Sequence, residues 1–225
     1  GSGNGIDTII ASCFFDFDEV FVTDLLPHIL SQIRGNVDKN SCNLPKESTF
    51  YLHGRDCEPL PRRVQLIYAN LPLIMVPENE LGRDLATTTL TDYDAYNHLS
   101  TGAGDLLSRW SLLSQLGFLL SAKEKLTENG IVITLIGGRV PYEAIDECFK
   151  RAGFRYKPIV TAVKRQSDSQ FLKEYADYER KLNGETFAFY EETKVLDIFR
   201  KMNLMYHGIV NISDRDLKVI LEPAK

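Results

Sequence analysis

Glycines and one aspartate near the start of the chain have the types and spacing of a ligand-binding loop. Residues 1–5 read Gly-Ser-Gly-Asn-Gly, and glycine lets a backbone turn tightly and come close to a bulky ligand. Asp24 follows Gly5 by about 20 residues, as expected of a carboxylate that holds a ribose diol. Ile6 stands where a dinucleotide-binding motif has its third glycine, so a ligand without a pyrophosphate fits better than NAD(P). The alternative is an ordinary glycine-rich turn.

A second group of candidate residues lies in segment 91–98, which reads Thr-Asp-Tyr-Asp-Ala-Tyr-Asn-His. Aromatic faces attract a cation, and loops on a rigid scaffold carry many substrate contacts. We therefore expect Tyr93 and Tyr96 to act as catalytic or orienting residues, and His98 to contact the substrate. The segment is also compatible with a solvated loop or short helix in which the tyrosines pack in the ordinary way.

Alternating strands and helices must position these residues. The predicted strands cover residues 19–23, 48–52, 64–69, 131–136, 154–164, 186–190 and 218–221. The predicted helices cover residues 6–15, 26–38, 105–126, 140–152 and a segment after 193. The helix over 6–15 is apolar on all sides and expected to be buried, and 71–101 is expected to be irregular. This alternation predicts βαβ units and a mostly parallel sheet covered on both faces. Ligands bind beyond the carboxyl ends of such strands.

The order of these motifs resembles that of class I S-adenosylmethionine-dependent methyltransferases. In that family a strand leads into G-x-G-x-G, and an acidic residue ends the next strand. The resemblance implies a doubly wound, Rossmann-like α/β fold with a mostly parallel, seven-stranded sheet, and S-adenosyl-L-methionine as cofactor. It also implies that the glycine loop lines the amino-acid and ribose portions, that Asp24 accepts from the ribose hydroxyls and that Leu25 packs on the adenine. Asp56 would read the adenine amino group, unless it merely caps a turn. The residues implied in cofactor binding are Gly1, Gly3, Asn4, Gly5, Asp24, Leu25, Asp56, Cys57 and Asn70.

The resemblance also bears on the limits of the domain. The first strand of that family precedes the glycine loop, whereas this chain begins at the loop. A sheet without its central strand leaves backbone groups of the neighbouring strands unpaired, so we expect further residues upstream of Gly1. Residues 1–225 are expected to form a single domain, with 195–225 as a C-terminal extension.

The residues after the strand at 64–69 resemble the Asn-Pro-Pro-Tyr motif of amino-methyltransferases, which include the enzymes that modify a release-factor glutamine. Here the motif reads Asn70-Leu71-Pro72-Leu73. The resemblance implies that Asn70 orients the attacking nucleophile and that Pro72 rigidifies the loop. Leu73 replaces the aromatic ring that stacks on a planar substrate, so we expect a small-molecule substrate that contacts Leu71 and Leu73. The alternative is a proline-punctuated loop.

The run from Gly137 to Phe154 resembles the methyltransferase domain of plant methionine S-methyltransferases, and the likeness extends over residues 1–195. Arg139 lies in this run. Its guanidinium can fork onto a carboxylate of an amino-acid-like substrate, or it can pair with Glu143 at the start of a helix. Both roles stay open.

These motifs together predict methyl transfer to an amino acid or amine. A sulfonium methyl is already activated, so its in-line displacement mainly needs proximity and alignment. Two alternatives stay open. The first is attack at another carbon next to the sulfur, which gives alkyl transfer or cyclisation with release of methylthioadenosine. The second is a non-catalytic, cofactor-binding partner subunit.

Composition and charge argue against several other classes. A net charge of −5 and a pI near 5.5 disfavour a dedicated nucleic-acid binder. No apolar run reaches the roughly 18–20 residues of a membrane span, so no membrane partner is expected. The four cysteines have no close pairs and the four histidines are scattered. We therefore expect no disulfide scaffold, no metal site and a reducing, cytoplasmic location. A homodimer stays open.

Overall fold

The computed structural model describes residues 1–77, 90–137, 139–159, 169–182 and 185–201. Its helices are α1 Ile6–Phe14, α2 Pro27–Asn40, α3 Leu106–Arg109, α4 Leu113–Lys125, α5 Tyr142–Ala152, α6 Ser169–Glu179 and α7 Glu192–Lys201. Its strands are β1 Val20–Asp24, β2 Thr49–His53, β3 Val64–Ala69, β4 Ile74–Val76, β5 Leu90–Asp92 and β6 Leu126–Thr134. None of the helices in this described part is long and apolar enough to cross a membrane.

The strands pair in parallel, as the alternation of strands and helices predicts. Three two-stranded sheets form, β1 with β2, β3 with β6 and β4 with β5. In the first of them α2 connects β1 to β2, and the register places Asp24 beside His53. In the second, Ala69 lies beside Thr134 at the carboxyl end. The predicted α/β class with parallel strands is thus confirmed, and the loops after β1 and β2 share one edge.

Two of the predicted strands are not formed in the described residues. Residues 154–159 and 185–190 adopt no strand, while 160–164 and 218–221 lie outside the described residues. At 185–190 the rings of Phe187 and Phe189 pack edge-on against Tyr175, with centroids 4.8 and 5.4 Å away. The amide of Phe187 donates to Glu179 Oε1 at 2.6 Å. The alternating apolar residues of this segment therefore pack in an aromatic cluster and do not form a β-strand.

The predicted long helix over 105–126 is two helices. Asp105 caps α3 by accepting from the Leu107 amide at 3.2 Å. The chain then breaks at Ser111, which has a φ of 57°, and α4 follows. Because α4 is buried on most sides, it is a core helix and not an amphipathic one. Strand β6 starts at Leu126, ahead of the predicted turn at 128–130. Within 71–101, predicted to be irregular, the structure forms β4 and β5.

Helix α1 forms as predicted, but the expectation that it is buried is wrong. Ile6, Ile10 and Phe14 are 48%, 50% and 76% exposed. The helix buries Ser12, and Ile9 packs on a small cluster under β1 and α2. That cluster is formed by Val22, Ile33 and Val37. A separate, larger core surrounds α4, and its members include Ile67, Met75, Leu107, Leu113, Leu119, Phe149 and Phe187.

The packing of α1 on α2 also creates a disulfide that sequence spacing did not predict. Cys13 and Cys42 are bonded, with Cα atoms 5.1 Å apart and a sequence separation of 29. The Cys42 amide donates to Ser12 Oγ at 3.0 Å, which fixes the segment after α2 against the last turns of α1. Cys57 and Cys148 are free and buried. Disulfides persist mainly in oxidising compartments, so the cysteines no longer support a reducing location.

Candidate functional site

The glycine loop is fastened to the carboxyl end of β1. The Ser2 amide and hydroxyl donate to the Thr23 carbonyl at 3.1 and 2.8 Å. The Gly3 amide donates to Asp24 Oδ2 at 3.1 Å, and the Leu26 amide donates to Asp24 Oδ1 at 3.1 Å. Asp24 is only 6% exposed. The predicted partners therefore meet, and the Asp24 carboxylate holds the loop through backbone amides.

The loop needs glycine at two of its positions. Gly3 and Gly5 have φ values of 56° and 81°, which side chains rarely adopt. A Cβ on Gly5 would also lie 3.0 Å from Ile33 Cγ2. Gly5 begins α1. Asn4 Oδ1 accepts from the Ile6 amide at 3.1 Å. The Asn4 side chain therefore stabilises the start of α1.

The loop after β2 joins the same edge. The Gly54 amide donates to the Asp24 carbonyl at 3.0 Å, and Thr23 Oγ1 donates to the Asp56 carbonyl at 3.4 Å. Asp56 has a φ of 50°, in the left-handed region. The two predicted cofactor carboxylates, Asp24 and Asp56, therefore stand on neighbouring loops at the ends of paired strands. Leu25 is 38% exposed beside them, as a residue that packs on a ligand must be.

Asp56 makes a close contact with Tyr96. The Tyr96 hydroxyl lies 2.9 and 3.1 Å from the two carboxylate oxygens and donates to them. Burial raises the pKa of Asp56 to about 6, against the lowering effects of the Tyr96 hydrogen bond and the Arg55 charge. Burial also raises the pKa of the neighbouring Cys57 thiol to about 12. Cys57 is 3% exposed, so its side chain belongs to the core and is not a nucleophile.

The Asn70 motif lies at the carboxyl end of β3. The Asn70 side chain is exposed, while Leu71 and Leu73 pack against the larger core. Leu71 Cδ2 also lies 3.3 Å from the position of a Cβ on Gly1, so this segment adjoins the glycine loop. The structure thus places Asn70 and Pro72 near the loop that is predicted to bind the cofactor, with the two leucines turned toward the interior.

The predicted group Tyr93, Tyr96 and His98 is divided among three environments. Tyr96 is 6% exposed, and its ring lies under the Arg55 guanidinium at 5.3 Å. The Tyr93 hydroxyl donates to Asn97 Oδ1 at 2.8 Å, and Tyr93 lines a separate cavity of about 540 Å³. His98 is exposed. The rings therefore do not form one cage, and only Tyr96 reaches the predicted cofactor residues.

Arg139 packs against two aromatic rings. Its Nη2 donates to the Tyr175 hydroxyl at 2.7 Å, and its guanidinium carbon lies 4.6 and 5.8 Å from the ring centroids of Tyr175 and Phe189. Neither predicted role, substrate carboxylate or Glu143, accounts for these contacts. They tie the loop after β6 to α6. The alternate aromatic residues at 187–189, which were predicted to form a strand, take part in this packing.

Two ion pairs were not predicted from the sequence. Arg151 Nη1 lies 2.9 Å from Asp105 Oδ1, and Asp105 Oδ2 accepts from the Thr101 amide at 3.1 Å. Arg55 Nη2 lies 3.7 Å from Asp92 Oδ2. Both pairs connect residues far apart in the chain, so no local spacing predicts them. Together they anchor segment 92–105, which carries Tyr96.

The described residues include no group of three or more His, Cys, Asp or Glu side chains placed to hold a metal ion. No protein-family model matches the chain, and comparison with the curated proteins gives no match.

Proposed function

We propose that this chain is a class I S-adenosylmethionine-dependent methyltransferase that acts on an amino acid or amine. The observation that carries the proposal is the arrangement of Asp24 and Asp56. They follow two paired parallel strands, and the Gly3 amide binds the first of them at 3.1 Å. Two carboxylates beside a glycine loop suit a ligand with a ribose diol and an adenine amino group.

The residues present fit such a cofactor. Each Asp24 oxygen accepts one backbone amide, and a carboxylate oxygen has a second lone pair for a ribose hydroxyl. Nothing lies within 4 Å of a Cβ position on Gly3, so the backbone there is open to a ligand. Leu25 supplies an exposed apolar surface for the adenine. When bound, the cofactor supplies a methyl group on a positively charged sulfur.

The finer fold proposed is a doubly wound, seven-stranded sheet, in which the β1–β2 and β3–β6 pairs belong together. Contacts between the pairs at both ends support this. At the amino ends Arg62 Nε donates to Glu19 Oε2 at 2.9 Å. At the carboxyl ends Gly1 lies between the Thr23 carbonyl, 3.0 Å away, and Leu71. A further strand between β1 and β3 would complete one sheet with the predicted site at its edge.

Asn70 is the residue proposed to orient the nucleophile. Its exposed side chain follows β3 directly, and the adjoining Leu71 contacts the glycine loop. An amide oxygen there can accept from a substrate amine and hold it in line with the methyl group. Because this alignment is the main contribution an enzyme makes to such a displacement, Asn70→Ala is expected to lower turnover and leave cofactor affinity nearly unchanged.

Calorimetric titration with S-adenosylmethionine tests the proposal, followed by mass spectrometry of the nucleoside after incubation with candidate amino acids and amines. We expect binding and the formation of S-adenosylhomocysteine only when an acceptor is present. Asp24→Ala should weaken binding, whereas Asp38→Ala, on the exposed side of α2, should not. Methylthioadenosine formed without an acceptor would favour alkyl transfer or cyclisation. Binding without any product would favour a non-catalytic subunit, and absence of binding would contradict the proposal.

A further inference from the structure

Buried Tyr96 and partly buried Asp56 form a hydrogen-bonded pair across 40 positions of sequence. One hydroxyl lies within 3.1 Å of both carboxylate oxygens, a geometry that fixes the orientation of the carboxyl group. Neither residue is near the other in any local motif. The pair therefore exists because segment 92–105 folds back over the loop after β2.

The tyrosine is itself held rigidly. Its ring packs on α4 at Gly117, where a Cβ would lie only 2.5 Å from Tyr96 Cδ1 and Cε1. On the other side Arg55 covers the ring and reaches Asp92, 3.7 Å away. Since a buried ring between a helix and a guanidinium has little freedom to rotate, its hydroxyl presents a fixed donor to Asp56.

We propose that Tyr96 is a positioning residue that keeps Asp56 ionised and in one orientation, as the acceptor for the adenine amino group of the cofactor. The inference rests on the proposed function, in which Asp56 reads that amino group. It assigns Tyr96 a role through Asp56, in place of direct contact with the methyl acceptor. Adenine recognition would then depend on segment 92–105 being folded.

The charged surroundings of Asp56 support this role. Arg55 and Glu58 are the charged side chains that act on it from its own loop, Arg55 lowering and Glu58 raising its pKa. Burial dominates and raises the pKa of Asp56 to about 6, while the hydrogen bond from Tyr96 lowers it. Without that bond the carboxyl group would hold its proton to higher pH. A protonated carboxyl is a poorer acceptor for an amino group.

The first test measures Asp56 itself, without any ligand. The 13C resonance of the Asp56 carboxyl group is followed from pH 4 to 9 in the wild type and in Tyr96→Phe. We expect the titration midpoint to rise by about one pH unit in the variant. Tyr156→Phe is the matched control, because Tyr156 donates to the exposed Asp146 and its ring stacks on Phe149. It should leave the titration midpoint of Asp56 unchanged. An unchanged midpoint in Tyr96→Phe would overturn the inference.

The second test measures adenine recognition. Binding of S-adenosylhomocysteine is compared with that of its inosyl analogue, in which an oxygen replaces the amino group. We expect the wild type to prefer the adenosyl compound by about tenfold or more at pH 7. Tyr96→Phe, with its midpoint near pH 7, should lose about half of this preference at pH 7 and regain it at pH 8.5, whereas Asp56→Asn should lose it at both.

The outcomes separate the two claims. If neither compound binds the wild type, the proposed function fails, while the titration midpoint still decides whether Tyr96 controls Asp56. If both bind and Tyr96→Phe keeps the full preference at pH 7, Tyr96 is only a core residue and the inference fails. Near-ultraviolet circular dichroism checks that the variant retains the native packing of its aromatic rings.

Discussion

At the scale of single residues, the partly buried carboxyl group of Asp56 makes the stability of the folded protein depend on pH. Its folded-state pKa of about 6 lies above the model-compound value of 3.8. The folded protein therefore binds the proton more tightly than the unfolded chain does. Stability from this group is greatest below pH 4 and falls as the pH rises through 6, by at most about 3 kcal/mol.

We accordingly expect Asp56→Asn to stabilise the protein at pH 8, with a gain that shrinks toward pH 4. Asparagine tolerates the left-handed backbone at this position, and its oxygen can still accept from the Tyr96 hydroxyl. Urea denaturation at both pH values measures the difference. The control Asp38→Asn removes an exposed pair with Arg34 and should change stability by less than about 1 kcal/mol. A variant less stable than the wild type at pH 8 would contradict the argument.

The residues with a local signature were the predictable ones. Gly5 and Asp24 were identified by spacing, and the structure brings their loops together. The Asp56–Tyr96 contact was not predictable, because hydrogen bonds across 40 positions depend on how a whole segment folds back. The contact of Arg139 with the Tyr175 ring was likewise not predictable, because it depends on how α6 packs against the loop after β6.

At the scale of elements, the two helical glycines Gly35 and Gly117 form a natural comparison. A Cβ on Gly117 in α4 would lie 2.5 Å from the Tyr96 ring, whereas nothing lies within 4 Å of a Cβ on Gly35 in α2. Alanine gains up to about 1 kcal/mol over glycine inside a helix. Overpacking against a buried ring costs about 1–3 kcal/mol.

We therefore expect Gly117→Ala to destabilise the protein and Gly35→Ala to stabilise it. Both effects are measured by thermal and urea denaturation. If both substitutions raise the melting temperature, Tyr96 is free to move away, and the rigid support argued for it does not exist.

The disulfide between Cys13 in α1 and Cys42 just after α2 is expected to stabilise the protein. Closing a loop of about 30 residues removes unfolded-state entropy worth roughly 3–4 kcal/mol. A reducing agent should therefore lower the melting temperature of the wild type and leave that of the double variant Cys13→Ser/Cys42→Ser unchanged. Thiol titration after denaturation should find two free cysteines without reductant and four with it. Four free thiols without reductant would contradict the bond.

Element types were predictable where the apolar pattern is strong, and less so where tertiary contacts decide. The β-branched run at 20–24 and the helix that Pro27 opens were predicted within two residues. The break at Ser111 was not predicted, because the left-handed backbone there is adopted by a serine and not by the glycine that usually marks such a position. The exposure of α1 was mispredicted. Its apolar sequence indicates that its surface favours burial, but the sequence does not show whether another element packs against it.

At the scale of the whole molecule, the arrangement of the strands has a consequence that can be measured. Within the described residues β1 pairs only with β2 and β3 pairs only with β6. Successive amides along a strand point to opposite sides. Along β1 and β3, alternate amides therefore face a partner strand, and the others face the space between the two pairs.

Amide hydrogen exchange on the 225-residue chain, read by NMR, should show this alternation. We expect slow and fast amides to alternate along β1 and β3, because unpaired amides at a strand edge exchange by small local fluctuations. The amides of α4, which is buried in the larger core, should be uniformly slow and serve as the reference. Uniformly slow exchange along β1 at all protein concentrations would mean that the edge is already covered, and that the proposed sheet needs no further strand. Protection that appears only at high concentration would mean that a second copy of the chain covers the edge, which would make the free edge an assembly surface.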